Sequence, residues 1–206
     1  MHLPRCLVGR GFTPASGVAA KPPLCKGRWP AGPEGLTIPQ SASLTAPFTQ
    51  GGLGGGHTLP KASGVDWGYW PDPWAFNRVA YDAENRILYI LSELHCYRTG
   101  NRETGLMVKN IIPRDEVITA DSAEPKSIGD YRQLGLCCRS AKKGPGSVAY
   151  GLKWLQSLAG IVIDPAVCPE TAREFAACRY VDGRVPDRDN HHIDAVRYAS
   201  QVFWRN

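Results

Sequence analysis

The distribution of apolar and polar positions divides the chain near residue 64. Residues 1–63 contain PP, WPAGP and GGLGGG and sustain neither a period of 2 nor one of 3.6. A segment of that texture buries too little apolar surface to offset its ordering entropy, so it is expected to be a disordered or irregular leader. From residue 64 the pattern becomes periodic. Apolar and β-branched runs predict strands over about 64–69, 76–82 and 86–93, with Asp82-Ala-Glu-Asn as the second turn. Three strands so closely connected make an antiparallel meander. The pattern then alternates: a helix near 101–112, a strand VITA at 117–120, a helix to about Leu134 and a strand at about 136–140. A helix at 147–158, a buried strand IVI at 161–163, a helix from near Pro169 and a last helix over 190–204 complete it. In DSAEP, Asp121 or Ser122 is expected to cap the helix whose first turn carries Pro125. Strands first in a meander and then alternating with helices predict one α/β domain, 64–206, a mixed sheet with helices on both faces.

Charge narrows the functional classes. The net +5 resides in the leader: residues 1–63 hold six Lys/Arg against one acid, Glu34, while 64–206 carry 18 of each sign. Any nucleic-acid contact by the folded part must therefore come from local clusters. The seven cysteines are odd in number and form no CxxC, and adjacent Cys137 and Cys138 lack a matching His pair, so reduced thiols are expected rather than zinc or a disulfide framework. No apolar run approaches the ~18 residues that span a bilayer, and no membrane association is expected. GGLGGGH at 51–57 lacks the Gly-Lys-Ser/Thr of a phosphate loop and no strand precedes it, so no nucleotide site is expected.

Three acids stand out by position. Asp66 lies within the strongly apolar GVDWGYWPDPWAF, where a carboxylate is penalised unless something positive meets it. Asp121 follows the C-terminal end of a strand, where open α/β sheets gather ligands. Asp194 lies on the last helix, beside a face marked by Ile193, Val196 and Tyr198. Converging carboxylates need cations, and hard oxygen donors select Mg²⁺ or Mn²⁺. A pair of such ions about 4 Å apart is the arrangement that cleaves phosphodiesters. Spacing leaves plainer readings open: Asp66 as a turn cap before Pro71-Asp72-Pro73, Asp121 as a helix cap, Asp194 as a solvated residue or the partner of Arg197.

The segments GVDWGYWPDPWAF, ITADSAEPKSIGDYR, KKGPGSVAYGLKWLQ, IVIDPAVCPETAREF and PDRDNHHIDAVRYA resemble, in order, the C-terminal nuclease domain of tailed-phage terminase large subunits, most nearly the PBSX prophage type. The resemblance covers about 64–206. It implies a ribonuclease-H-like fold and a two-metal endonuclease that cuts concatemeric double-stranded DNA during packaging, with Asp66, Asp121 and Asp194 as the catalytic, metal-binding triad. It also implies DNA, the small terminase subunit and the portal protein as partners, and the bacterial host cytoplasm as the place of action. Glu124, Asp187 and Asp189 stand near the motifs without equal claim. Lys126, Arg139, Lys142 and Lys143 are candidate phosphate-backbone contacts. Trp67, Tyr69, Trp70 and Trp74 either stack on DNA or pack, and His191 and His192 flank Asp194. The chain departs from the family pattern in carrying no Walker A motif, so no ATPase is expected in it. The rival reading is a catalytically silent fragment that only binds DNA or docks on packaging proteins.

Overall fold

A computed structural model of the chain describes residues 6–8, 58–178 and 190–204. The described strands are β1 Cys6–Val8, β2 Lys61–Asp66, β3 Trp74–Asp82, β4 Ile87–Cys96, β5 Ile118–Ala120, β6 Cys138–Ser140 and β7 Gly160–Ile163. The helices are α1 Asn101–Lys109, α2 Pro125–Gln133, α3 Ser147–Ser157, α4 Pro169–Ala177, α5 His191–Ala199 and α6 Gln201–Trp204. They form one mixed sheet in the order β1-β7-β4-β3-β2-β5-β6. β2, β3 and β4 are the predicted antiparallel meander, and β5, β6, β7 and β1 add to it in parallel. This is the ribonuclease-H-like mixed sheet with helices on both faces.

Strand alternation distributes the core into two layers. Val65, Phe76, Ile118 and Ala120 pack with Val108 of α1 and Ile128 and Tyr131 of α2. Ala62, Val79, Leu88 and Ile161 pack on the other face with Leu152 and Leu155 of α3, Phe175 of α4 and Ile193 and Val196 of α5. Within β4 the alternation breaks. Arg78 pairs with Ser92 but Val79 pairs with Ile90, so Leu91 is an extra residue, a β-bulge. Leu88 and Ile90 therefore face α3–α5, while Leu94 and Cys96 face α1 and α2. The bulge turns Glu93 and His95 toward α4 and α5, where they bond Thr171 and His192.

Several sequence expectations need correction. The first long strand starts at Lys61, not 64, because its small residues Ala62, Ser63 and Gly64 are buried against neighbours. Cys6–Val8, inside the expected irregular leader, runs parallel to β7; the GGLGGGH stretch lies outside the described residues. Neither Asp121 nor Ser122 caps α2: the N-cap position is Glu124, and Asp121 Oδ1 instead accepts from the Ala123 amide in a local turn. The last helix is not continuous over 190–204. Ser200 donates its hydroxyl to the Val196 carbonyl and the chain turns before α6.

Candidate active site

Strand register brings the first two acids together. Val65 on β2 pairs with Ala120 on β5 in parallel, so the next residues, Asp66 and Asp121, stand side by side at the same end of the sheet. Both follow residues of the α1–α2 layer and therefore face α5. Two bonds fasten Asp121 to β2: its amide donates to the Val65 carbonyl at 3.0 Å, and the Trp67 indole donates to its carbonyl at 2.9 Å. Trp67 is wedged edge-on against Tyr131, 5.0 Å between centroids, which fixes the indole.

Helix α5 supplies the third acid, and Gly64 lets it come close. A Cβ at Gly64 would lie 1.9 Å from the Ala195 carbonyl oxygen and 2.6 Å from the Ala199 amide. The helix thus rests directly on the backbone of β2, with Ala195 and Ala199 beneath it and Asp194 at its side. Its N-terminus is anchored by Glu174 of α4, whose Oε2 accepts from the amides of His192 and Ile193 at 2.8 and 3.0 Å. The N-terminus of α4 is held similarly by Glu93 on β4, which accepts from the Glu170 and Thr171 amides. Buried His192 bridges Asn77 on β3 and His95 on β4, at 2.8 and 3.0 Å. Burial lowers the His192 pKa to about 3, so it serves as a neutral connector.

The acids affect one another. Asp66 is 9% exposed and its pKa is pushed up to about 6, first by burial. Its hydrogen bond with His191 pulls it down, while the negative charges of Asp194 and Asp121 push it up. Each acid already meets a protein cation or its equivalent. His191 Nδ1 lies 3.1 Å from Asp66 Oδ2, and Asp66 raises the pKa of that imidazole. Lys143 forms an ion pair with Asp121 Oδ1. Arg197 reaches Asp194 Oδ1 through Nε and one terminal nitrogen, both at 3.0 Å. Arg197 is only 2% exposed and its stem fills the space left by Gly151, where a Cβ would lie 2.6 Å from its Cγ.

The fit to a divalent cation follows from this chemistry. The donors are hard oxygens, and Asp66 carries an uncompensated cost of burial that a cation would remove. Among the described residues no three His, Cys, Asp or Glu side chains are already gathered around one ion position. Asp121 and Asp194 are turned toward Lys143 and Arg197 instead.

The other sequence candidates separate. Arg139 stands on the α5 face beside Thr119, to whose hydroxyl its Nε donates at 3.2 Å. The backbone of Lys142 is clamped by the Gln201 side chain at both its amide and its carbonyl. Lys126 is exposed on the first turn of α2. Glu124 accepts from the Ser127 hydroxyl within its own helix start; Asp187 and Asp189 lie outside the described residues. Of the aromatic residues, Trp74 is buried and stacks on Phe76, whereas Tyr69 and Trp70 are each 59% exposed. Gly64, Glu93 and Glu174 escaped the sequence reading. Gly64 alone carried a signal, since glycine within a strand marks close backbone approach.

A ribonuclease-H-like sheet with acids on two adjacent strand ends and on a crossing helix defines a nuclease-type architecture, and comparison with known proteins assigns it. The Terminase RNAseH like domain family model matches residues 66–202, and the chain belongs to that family. It is 41% identical over 145 residues to the terminase large subunit of Bacillus phage SPP1, covering 66% of this chain and 34% of that protein. It is 39% identical over 144 residues to the PBSX phage terminase large subunit of Bacillus subtilis strain 168, covering 66% and 33%. The chain thus spans about a third of the length of these curated relatives. Among solved structures it is similar to the large terminase nuclease domain of bacteriophage SPP1 with bound Mn, at TM-score 0.66 and 38% identity, over 69% of this chain and 85% of that one. The P22 large terminase nuclease domain shares the fold at TM-score 0.58 and 16% identity, over 69% and 80%.

Proposed function

We propose that this chain is a divalent-metal-dependent DNA endonuclease, the nuclease part of a phage packaging terminase, acting by two-metal phosphodiester hydrolysis. The observation that carries the reading is the Val65–Ala120 register, which sets Asp66 beside Asp121, with Asp194 close enough to raise the Asp66 pKa. Asp66, Asp121 and Asp194 would hold Mg²⁺ or Mn²⁺; when bound, the ions supply charge neutralisation at the phosphate and Lewis-acid activation of water. His191 restrains one oxygen of Asp66, Oδ2. Arg197 fixes the rotamer of Asp194, and the Trp67 bond fixes the backbone of Asp121. Arg139, Lys126 and Lys142 are proposed to contact the DNA backbone. The small terminase subunit and portal are the proposed protein partners, and the host cytoplasm the proposed location. No helix among the described residues is long and apolar enough to cross a membrane. The proposed nuclease unit is 64–206, with β2 extending it to Lys61.

The test is plasmid cleavage by the full chain with Mn²⁺, with Mg²⁺ and with EDTA, beside Asp121→Asn. Nicking that requires metal and disappears in the variant is expected. Folded protein that leaves plasmid intact with either metal, or an Asp121→Asn variant as active as wild type, would refute the reading.

A further inference from the structure

The three acids are not neutralised in the same manner. Arg197 is sealed between α5 and α3, and withdrawing it from Asp194 would strand a charge in the protein interior. His191 is packed between Asp66 and Asp72. Lys143 differs: its side chain is 41% exposed while its Asp121 partner is 17% exposed. An ion pair so open to water is weak, and its ammonium sits on a long, strongly hydrated stem.

The backbone around Lys143 provides a fixed base with a pliant continuation. The Ala141 amide donates to the Ala120 carbonyl at 2.7 Å, directly before Asp121. Gln201 then clamps Lys142. After Lys143 come Gly144 and Gly146, the latter at φ 76, where the chain enters α3. The ammonium also lies 5.7 Å from the Tyr198 ring centroid, at the side of the site lined by α5. Asp121 Oδ1 is shared between this ammonium and the Ala123 amide, so the ammonium occupies an oxygen that a cation at this acid would take.

We propose that Lys143 is a resident counter-ion of Asp121 which a divalent cation displaces, and that the freed ammonium then contacts the DNA phosphate at the same site. The inference rests on the metal-dependent reading of the acids. It makes metal and DNA mutually reinforcing. The ion releases an ammonium that seeks an anion, and a phosphate that takes the ammonium releases Asp121 to the ion.

The test measures Mn²⁺ binding to the full chain without DNA, by titration calorimetry or by the EPR signal of free Mn²⁺. Lys143→Met removes the competitor and should bind Mn²⁺ roughly two- to five-fold more tightly, the range open to an exposed pair. Lys143→Arg keeps the charge and should stay near wild type, separating charge from folding. In parallel, acetylation of surface amines read by mass spectrometry should show Lys143 reacting faster once Mn²⁺ is added, with exposed Lys126 unchanged. At saturating Mn²⁺, the Met variant should bind DNA more weakly, with a salt slope reduced by about one. Equal or weaker Mn²⁺ binding by Lys143→Met, or Lys143 acetylation indifferent to Mn²⁺, overturns the proposal. If wild type binds Mn²⁺ and cuts DNA while Lys143→Met binds Mn²⁺ identically, only this inference fails. Absence of Mn²⁺ binding in every variant defeats it together with the metal reading.

Discussion

Replacing Asp66 by Asn is expected to abolish cleavage while making the metal-free protein more stable at pH 8. The carboxyl has its pKa raised to about 6 from 3.8, with burial as the leading cause. A group whose folded pKa exceeds its unfolded value favours the fold most when protonated. Its contribution to stability is full below about 3.8, declines as pH rises through 6 and is flat beyond. A shift of about two units corresponds to about 3 kcal/mol. Asn avoids that penalty but weakens the bond to His191, so a net gain of about 1–3 kcal/mol is expected. Cleavage should fall by about 10³ or more, the scale on which a lost charge-stabilising group affects kcat. Urea melts at pH 8 and at pH 4 decide the stability half, since the gain must shrink at the lower pH. Added Mn²⁺ should raise the wild-type midpoint and leave the variant unmoved. A variant less stable at pH 8 would show that Asp66 is not under strain, and one that still cuts would remove it from the site.

Gly64→Val is expected to have the largest effect on stability. Even the first carbon of the new side chain would lie 1.9 Å from the backbone oxygen of Ala195, and a helix backbone cannot yield as a flexible side chain can. Helix α5 must lift from β2, opening the layer that holds Ile193 and Val196 and separating Asp194 from Asp66. A loss of about 3 kcal/mol or more is expected, at the upper end of overpacking effects and a large share of the stability of an ordinary domain. Gly129→Ala is the control: it lies within α2, nothing stands within 4 Å of its added Cβ, and alanine should stabilise the helix by up to about 1 kcal/mol. Denaturation midpoints of the two variants should move in opposite directions. If Gly64→Val unfolds with the wild-type midpoint, α5 does not rest on β2 as described.

Much of this site was visible in the sequence because its elements are local. Asp66 was conspicuous as a charge in an apolar strand, Asp121 as an acid after a strand end, and Asp194 through the regular spacing of α5. The meander and the later alternation also followed from local pattern. Long-range pairings were not visible. Nothing near Glu174 reveals that it holds the N-terminus of α5, nor does anything near Glu93 tie it to α4. The start of β2 was misjudged because Lys61-Ala-Ser-Gly reads as turn chemistry; only the helix lying on Gly64 makes those small residues suit a strand. The local acid pattern around α2 was misleading too, since Asp121 closes its own turn three residues before the helix's N-cap, Glu124.

The extra residue at Leu91 sets a rule for how this strand can change over evolution. Ser92–Cys96 lie opposite Arg78–Trp74 with or without it, so deleting Leu91 would straighten the strand and leave Glu93 and His95 facing α4 and α5. Deleting one of the paired residues beyond it would instead draw Leu91 into the ladder and remove a side chain from the clusters around Thr171 and His192. Natural variation in length is therefore expected at the exposed turn 83–86 and at the bulge itself, and the segment 92–96 should keep its residue count even where its residues differ.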